Sequence, residues 1–143
     1  MRLALNLARR GYGATSPNPM VGAVLVNRGR IIGRGWHHRA GEPHAEIEAI
    51  RNAQRGKDKV AGSTLYVTLE PCSTHGRTPP CTGAIRAAGI KHVVVAAIDP
   101  NPAHAGKGLE LLRRGGIQVL QGMLESEAIS LNEAFNQIGR AHV

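Results

Sequence analysis

The stretch at residues 64–72, TLYVTLEPC, decides the fold of this chain. Its first six residues are rich in β-branched and apolar side chains and predict a strand. The strand runs directly into Glu70-Pro71-Cys72, so a carboxylate and a thiol follow its carboxyl end. In open α/β sheets, ligands bind beyond the carboxyl ends of the strands. The stretch therefore indicates an α/β domain and the place of its functional site.

The rest of the chain alternates between helical and strand patterns. Residues 21–26 and 30–37, joined by the turn Asn27-Arg28-Gly29, predict a β-hairpin. Later strands joined by helices predict parallel pairing. We expect a three-layer α/β/α domain with a central mixed sheet of about five strands. The predicted helices are residues 2–10, 44–54, 81–88, 108–114 and 124–136, and the predicted strands are 21–26, 30–37, 64–69, 92–98 and 117–120.

Composition narrows the class of protein. The chain has 143 residues, of which 42% are hydrophobic, so it can build a core and is not a disordered segment. No apolar run approaches the roughly 20 residues that cross a bilayer, which predicts no membrane partner. Residues 1–13 resemble a short amphipathic helix rather than a signal peptide. A cytoplasmic location is the resulting expectation.

The charge of the chain bears on its partners. The formal net charge is +8, which favours a phosphorylated partner. Aromatic residues make up only 3% of the chain, and its arginines and lysines are dispersed, so a nucleic-acid surface is disfavoured. A solvated basic surface is the preferred interpretation, and a small anionic substrate, which lies between these two alternatives, fits a local basic site.

A histidine and the only two cysteines form a candidate metal site. A catalytic zinc takes three protein ligands and keeps a fourth position open for water. His44, Cys72 and Cys81 supply that number of ligands. We expect all three at helix starts, where thiols ionise more readily. The spacing thus predicts a zinc centre.

Glu46 stands two residues after His44 and is the candidate proton carrier. A His-x-Glu motif followed by Pro-Cys and a second cysteine is the pattern of zinc deaminases, in which the glutamate is the general acid and base. Two other interpretations remain open. The three residues could be an ordinary surface histidine and two core cysteines, or His75 could complete a structural zinc site as a fourth ligand.

Five stretches carry a family resemblance: SPNPMVGAV at 16–24, GEPHAE at 41–46, YVTLEPCS at 66–73, GRTPPC at 76–81 and DPNP at 99–102. With these the chain resembles the deaminase domain of the bifunctional riboflavin-biosynthesis deaminase/reductases, within the cytidine deaminase-like superfamily. The GRTPPC stretch separates it from cytidine and tRNA-adenosine deaminases, which usually have two residues between the cysteines. The resemblance implies a cytidine deaminase-like fold.

The resemblance also implies a substrate, 2,5-diamino-6-ribosylamino-4(3H)-pyrimidinone 5′-phosphate, and its product, 5-amino-6-(5-phosphoribosylamino)uracil. By motif position it implies five substrate contacts, at Asn18, His37, Arg77, Asp99 and Asn101. Thr74 stands where many relatives have histidine, which leaves a histidine contact to the phosphate in doubt. The resemblance further allows a homo-oligomer.

The domain organisation follows from where the resemblance holds. Residues 1–137 are expected to form the zinc-dependent deaminase domain. Residues 138–143 do not resemble the family and are expected to be a non-native tail. The family's NADPH-dependent reductase domain is expected to be absent from this chain, which has no dinucleotide-binding motif.

Two other functions remain in competition with this one. A deaminase of the same superfamily could act on a free nucleobase, a nucleoside or tRNA adenosine with the same zinc site. A zinc-stabilised binding module would have no use for Glu46 as a proton carrier.

Overall fold

The computed structural model describes residues 1–74 and 80–141, with side chains described as far as Glu133. Its helices and strands follow the predicted order, with boundaries shifted by a few residues at most sites. The helices are α1 (Arg2–Ala8), α2 (Ala45–Arg55), α3 (Cys81–Ala87), α4 (Lys107–Arg114) and α5 (Glu125–Ala141), with a 3₁₀ turn at Arg9–Gly11. The strands are β1 (Gly22–Asn27), β2 (Arg30–Trp36), β3 (Thr64–Leu69), β4 (His92–Ala97) and β5 (Gln118–Gln121).

The five strands form one mixed sheet in the order β2-β1-β3-β4-β5. β1 pairs antiparallel with both β2 and β3, whereas β3–β4 and β4–β5 are parallel pairs. The predicted hairpin is confirmed, and its turn places Arg28 and Gly29 at positive φ, as a tight two-residue turn requires. The stretch at residues 64–72 therefore contains β3, the central strand of the sheet, followed by Glu70, Pro71 and Cys72.

Helices cover both faces of the sheet. One core combines inward residues of β1, β3 and β4 with α2, α3 and α4, including Leu65, Val93 and Leu112. On the opposite face, Leu5 of α1 and Ala128 of α5 belong to one smaller cluster, and Leu7 of α1 belongs to another. β4 is buried along both faces from Val93 to Ala97, as its unbroken apolar run predicts. The three-layer prediction is confirmed.

Two glycines of β2 let α2 lie directly on the sheet. A Cβ on Gly35 would overlap the carbonyl oxygen of Ala45 and the amide nitrogen of Ala49. A Cβ on Gly33 would likewise overlap the carbonyl oxygen of Ala49. Because the first turn of α2 touches the strand backbone, its height above the sheet is fixed. Within the described residues, no helix has the length and hydropathy to cross a membrane.

We expect Gly35→Ala to lower the free energy of unfolding by about 1–3 kcal/mol, because the new methyl group must push α2 off the sheet. Urea denaturation measures the change. Gly83→Ala is the matched control, because no described atom beyond its own helix backbone and chain neighbours lies within 4 Å of its added Cβ. Because position 83 is helical, the free energy of unfolding of Gly83→Ala should equal that of wild type or exceed it by up to about 1 kcal/mol. Equal urea midpoints for wild type and Gly35→Ala would contradict the close seating of α2.

Candidate active site

The first turn of α2 brings His44 and Glu46 to one end of the sheet. His44 is the N-cap residue of α2, with an extended backbone (φ −71°, ψ 163°), and Glu46 is the second residue of the helix. His44 remains exposed, whereas Glu46 is only 3% exposed. The change from extended to helical backbone at the cap lets side chains two positions apart line the same cavity.

The two cysteines come from different elements. Cys81 begins α3, as predicted, but the expectation that Cys72 also begins a helix is wrong. Cys72 lies outside any helix or strand after β3, and its carbonyl oxygen accepts a hydrogen bond from the Thr82 N–H at 3.2 Å. The Cys72 Sγ accepts a second one from the Cys81 N–H, also at 3.2 Å. Cys72 is thus held against the start of α3 instead of starting a helix.

One nitrogen and two sulfurs meet at this point. His44 Nδ1 lies 3.2 Å from Cys81 Sγ and 3.8 Å from Cys72 Sγ, and the three atoms all lie within 4.8 Å of one another. Tetrahedral zinc with bonds of about 2.0–2.3 Å places its ligand atoms roughly 3.6 Å apart. The donor set and its spacing therefore fit a zinc ion.

Mutual hydrogen bonds and burial shift the pKa values of these groups. The pKa of Cys72 falls to about 4, chiefly because Cys81 donates a hydrogen bond to its sulfur, and the pKa of Cys81 rises for the same reason. The hydrogen bond with Cys72 also raises the pKa of His44. Burial is the main cause that raises the pKa of Glu46. Cys72 is therefore the thiol that ionises more readily, and the Glu46 carboxyl group beside it holds a proton more readily than an exposed glutamate does.

A cavity of about 170 Å³ opens beside the cluster. Among the predicted site residues, its lining includes His44, Glu46, Cys72, Asn18, His37 and Asp99. The other lining residues are Pro19, Val21, Leu69 and Glu70. The lining thus combines seven side chains with polar or ionisable groups and three apolar ones, so the cavity suits a small molecule that needs polar contacts.

His37 and Asn18 form a hydrogen-bonded pair at the edge of this cavity. His37 is 2% exposed, and its Nδ1 lies 3.1 Å from the carbonyl oxygen of Pro43, so that nitrogen must carry the proton. Its Nε2 is then an acceptor for the Asn18 Nδ2–H at 3.2 Å. Burial lowers the pKa of His37, which favours this neutral form. His37 therefore fixes which way the Asn18 amide faces.

The remaining predicted contacts are placed differently. Asp99 lines the cavity, and its Oδ1 accepts a hydrogen bond from the Asn101 N–H at 2.9 Å. Asn101 is exposed and outside the described lining, and its own Oδ1 accepts the Ala103 N–H at 3.0 Å. The role of Asn101 as a substrate contact stays a prediction. Arg77 and His75 lie outside the described residues, and Thr74 is exposed.

Comparison with known proteins identifies the family. Residues 1–97 match the profile of the cytidine and deoxycytidylate deaminase zinc-binding region. The chain belongs to this deaminase family. The match includes His44, Cys72 and Cys81, the group whose donor atoms meet in the fold.

Several relatives share about half of their aligned residues with this chain. The riboflavin biosynthesis protein RibD of Aquifex aeolicus is 57% identical over 135 residues, 94% of this chain and 37% of that protein. The diaminohydroxyphosphoribosylamino-pyrimidine deaminase of Buchnera aphidicola subsp. Schizaphis graminum is 47% identical over 135 residues, 94% of this chain and 90% of that protein. The predicted resemblance is confirmed.

A solved structure supports the same placement. The diaminohydroxyphosphoribosylaminopyrimidine deaminase/5-amino-6-(5-phosphoribosylamino)uracil reductase of Thermotoga maritima has a TM-score of 0.90 and 50% identity. The alignment covers 95% of this chain and 39% of that one, so the cytidine deaminase-like fold is confirmed. The present chain therefore spans well under half the length of the Aquifex aeolicus and Thermotoga maritima proteins.

Glu70 lines the cavity of this deaminase but was not among the predicted site residues. It is 7% exposed and follows β3 directly. The available signal was an acidic residue at the end of a buried strand, immediately before Pro-Cys. Sequence reasoning passed over it because the four N–H groups that its carboxylate accepts lie 29 to 39 residues further along the chain.

Proposed function

We propose that this protein catalyses the zinc-dependent hydrolytic deamination of 2,5-diamino-6-ribosylamino-4(3H)-pyrimidinone 5′-phosphate to 5-amino-6-(5-phosphoribosylamino)uracil. The observation that carries the proposal is the meeting of His44, Cys72 and Cys81 within 4.8 Å, beside a cavity lined by the buried Glu46. Relatives of this chain named for this step or for riboflavin biosynthesis are 47% and 57% identical to it. The proposed activity is deamination alone.

In this proposal His44, Cys72 and Cys81 hold the metal. A bound zinc supplies Lewis acidity that makes water a nucleophile at neutral pH. The structural-zinc alternative needs a fourth protein ligand, and the donor group found in the described part of the chain has three members. A set of three protein ligands would leave one coordination position open for water.

Glu46 moves the protons. Its carboxylate takes a proton from the attacking water as a C–O bond forms at the ring carbon that bears the amino group. It delivers that proton to the ring nitrogen, then takes the second proton from the newly formed hydroxyl group and passes it to the departing amine, so that the C–N bond breaks, ammonia leaves and the carbonyl group forms. A carboxyl group whose pKa is raised by burial suits this exchange, because it binds a proton more readily than an exposed glutamate does.

Asn18, held by His37, and Asp99 are the proposed contacts to the ring and ribose. The described lining of the cavity contains no lysine or arginine, so the phosphate is assigned to Arg77 on the strength of the sequence alone. Asn101, two residues after Asp99, remains a proposed substrate contact.

Location and assembly belong to the same proposal. The two cysteines are free thiols, which suits a reducing compartment such as the cytoplasm. A homo-oligomer stays a prediction. So does the division into a deaminase domain at residues 1–137 and a non-native tail at 138–143, although α5 runs as a continuous helix to Ala141.

The direct test is ammonia release from the diaminopyrimidinone ribotide by purified, zinc-loaded protein. We expect turnover of this substrate and none of cytidine, guanine or tRNA under the same conditions. Activity on one of those compounds alone would move the protein to the competing deaminase branch. The low aromatic content of 3% argues in advance against an RNA substrate.

Glu46→Gln separates proton transfer from structure. We expect kcat to fall by about 10²–10⁴-fold, because the amide cannot accept a proton, while the zinc content is unchanged. Glu48→Gln, the same change on the same turn of α2 but outside the cavity lining, should keep wild-type kcat. Wild-type kcat in Glu46→Gln would contradict the role of Glu46 as the proton carrier, and a wild-type protein without any turnover would support the non-catalytic zinc module.

His44→Ala tests the metal ligands. We expect the variant to lose bound zinc on dialysis, because two thiolates alone hold the ion far less tightly, and elemental analysis measures the metal per chain. His92→Ala, at an exposed histidine that begins β4, is the control and should retain one zinc. Full zinc occupancy in His44→Ala would rule out the proposed ligand set.

A further inference from the structure

Glu70 connects the central strand to the segment that follows β4. It is the first residue beyond β3, and its backbone N–H donates to the carbonyl oxygen of Ala97 at 2.9 Å. Its side chain is buried and reaches from the cavity towards the start of α4. The residue thus lies between the Cys72 end of the metal site and the loop that carries Asp99.

Both carboxylate oxygens of Glu70 are occupied by backbone donors. Oε1 accepts the N–H groups of Asp99 at 3.0 Å and Gly106 at 2.9 Å. Oε2 accepts those of Gly108 at 2.9 Å and Leu109 at 3.3 Å. One carboxylate therefore closes the loop at residues 99–106 by binding both of its ends, and charge-assisted hydrogen bonds of this kind are the stronger ones.

The same carboxylate caps α4. The N-cap residue of α4 is Gly106, which has no side chain to accept the free N–H groups of the first turn. Glu70 accepts two of them, from the second and third helical residues, and its negative charge suits the positive end of the helix. Gly108 allows this approach, since a Cβ there would overlap the carbonyl oxygen of Pro71.

The loop that Glu70 closes carries a predicted substrate contact. Asp99 lines the cavity, and its Oδ1 is half committed to the turn through the Asn101 N–H. The Asp99 backbone is fixed from the other side by Glu70 Oε1. No other side chain in the described hydrogen bonds reaches the Asp99 N–H, so the position of the Asp99 backbone beside the cavity depends on Glu70.

We propose that Glu70 is a positioning residue for the deamination reaction, acting by holding Asp99 against the substrate cavity. This proposal rests on the function proposed above. Glu70 does not carry protons in this role, because both of its oxygens are hydrogen-bond acceptors for fixed N–H groups. Its effect reaches the substrate through Asp99.

Glu70→Gln is the nearly isosteric test, because the amide nitrogen cannot accept the two N–H groups that face it. We expect KM to rise about tenfold, with a smaller change in kcat and unchanged zinc content. Glu110→Gln, an exposed glutamate of α4 that pairs with Arg114, is the control and should keep wild-type kinetics. Gly108→Ala should raise KM in the same way by breaking the contact from the helix side.

A double-mutant cycle separates positioning from general destabilisation. If Glu70 acts through Asp99, Glu70→Gln should raise KM less than about twofold in an Asp99→Asn background. Independent, multiplying effects of the two substitutions on KM would overturn the proposal. Unchanged KM in both Glu70→Gln and Gly108→Ala would overturn it as well.

Amide hydrogen exchange tests the contact without substrate. In Glu70→Gln, exchange at Gly106, Gly108 and Leu109 should accelerate about tenfold. Wild-type exchange rates at these residues would show that the Glu70 hydrogen bonds do not hold the start of α4. Faster exchange with unchanged KM would leave Glu70 as a helix cap only and would overturn its role in positioning Asp99. If wild-type protein turned over a different deaminase substrate, the proposed function would fail while the same kinetic cycle, run on that substrate, would still decide the role of Glu70.

Discussion

The convergence of an imidazole and two thiols at the carboxyl end of β3 is the constraint on which the rest of the structure depends. The three donors come from the cap of α2, the chain after β3 and the start of α3. Each has its own anchor. α2 lies on the glycines of β2, Cys72 accepts the Cys81 N–H, and α3 packs into the main core through Ile85. Without a close-packed core these anchors could not hold three distant residues within a few ångströms.

That convergence also has an electrostatic consequence. Thiols and a carboxyl group crowded into a half-buried site cannot all ionise freely, which is why one thiol has a lowered pKa while the other thiol and Glu46 have raised ones. A divalent cation is the partner that relieves this crowding, because it stabilises both thiolates together. Glu46 lines the cavity beside this cluster, and burial raises the pKa of its carboxyl group, which therefore holds a proton more readily than an exposed glutamate does.

The sequence was sufficient for the elements and for the donor residues, and insufficient for the long-range contacts. Periodicity predicted β3 at its observed limits and the buried character of β4, because both depend on local patterns. It placed Cys72 at a helix start, which is wrong because the Cys72 carbonyl bonds to Thr82 and not to the next turn. The inward burial of His37 and its bond to Asn18 depend on chain segments that meet only in the folded protein.

Two buried glutamates line one cavity and differ in what surrounds their carboxyl groups. Glu70 accepts four N–H groups, so its oxygens are fixed as acceptors and its negative charge is shared with the start of α4. Glu46 has burial as the main influence on its pKa and lies beside the metal-binding cluster. A carboxylate that is fully hydrogen-bonded holds a loop in place, whereas one that is desolvated exchanges protons. In the proposed reaction, the backbone N–H groups around Glu70 suit it to a structural role and the burial of Glu46 suits that residue to proton transfer, a distinction that residue type alone does not contain.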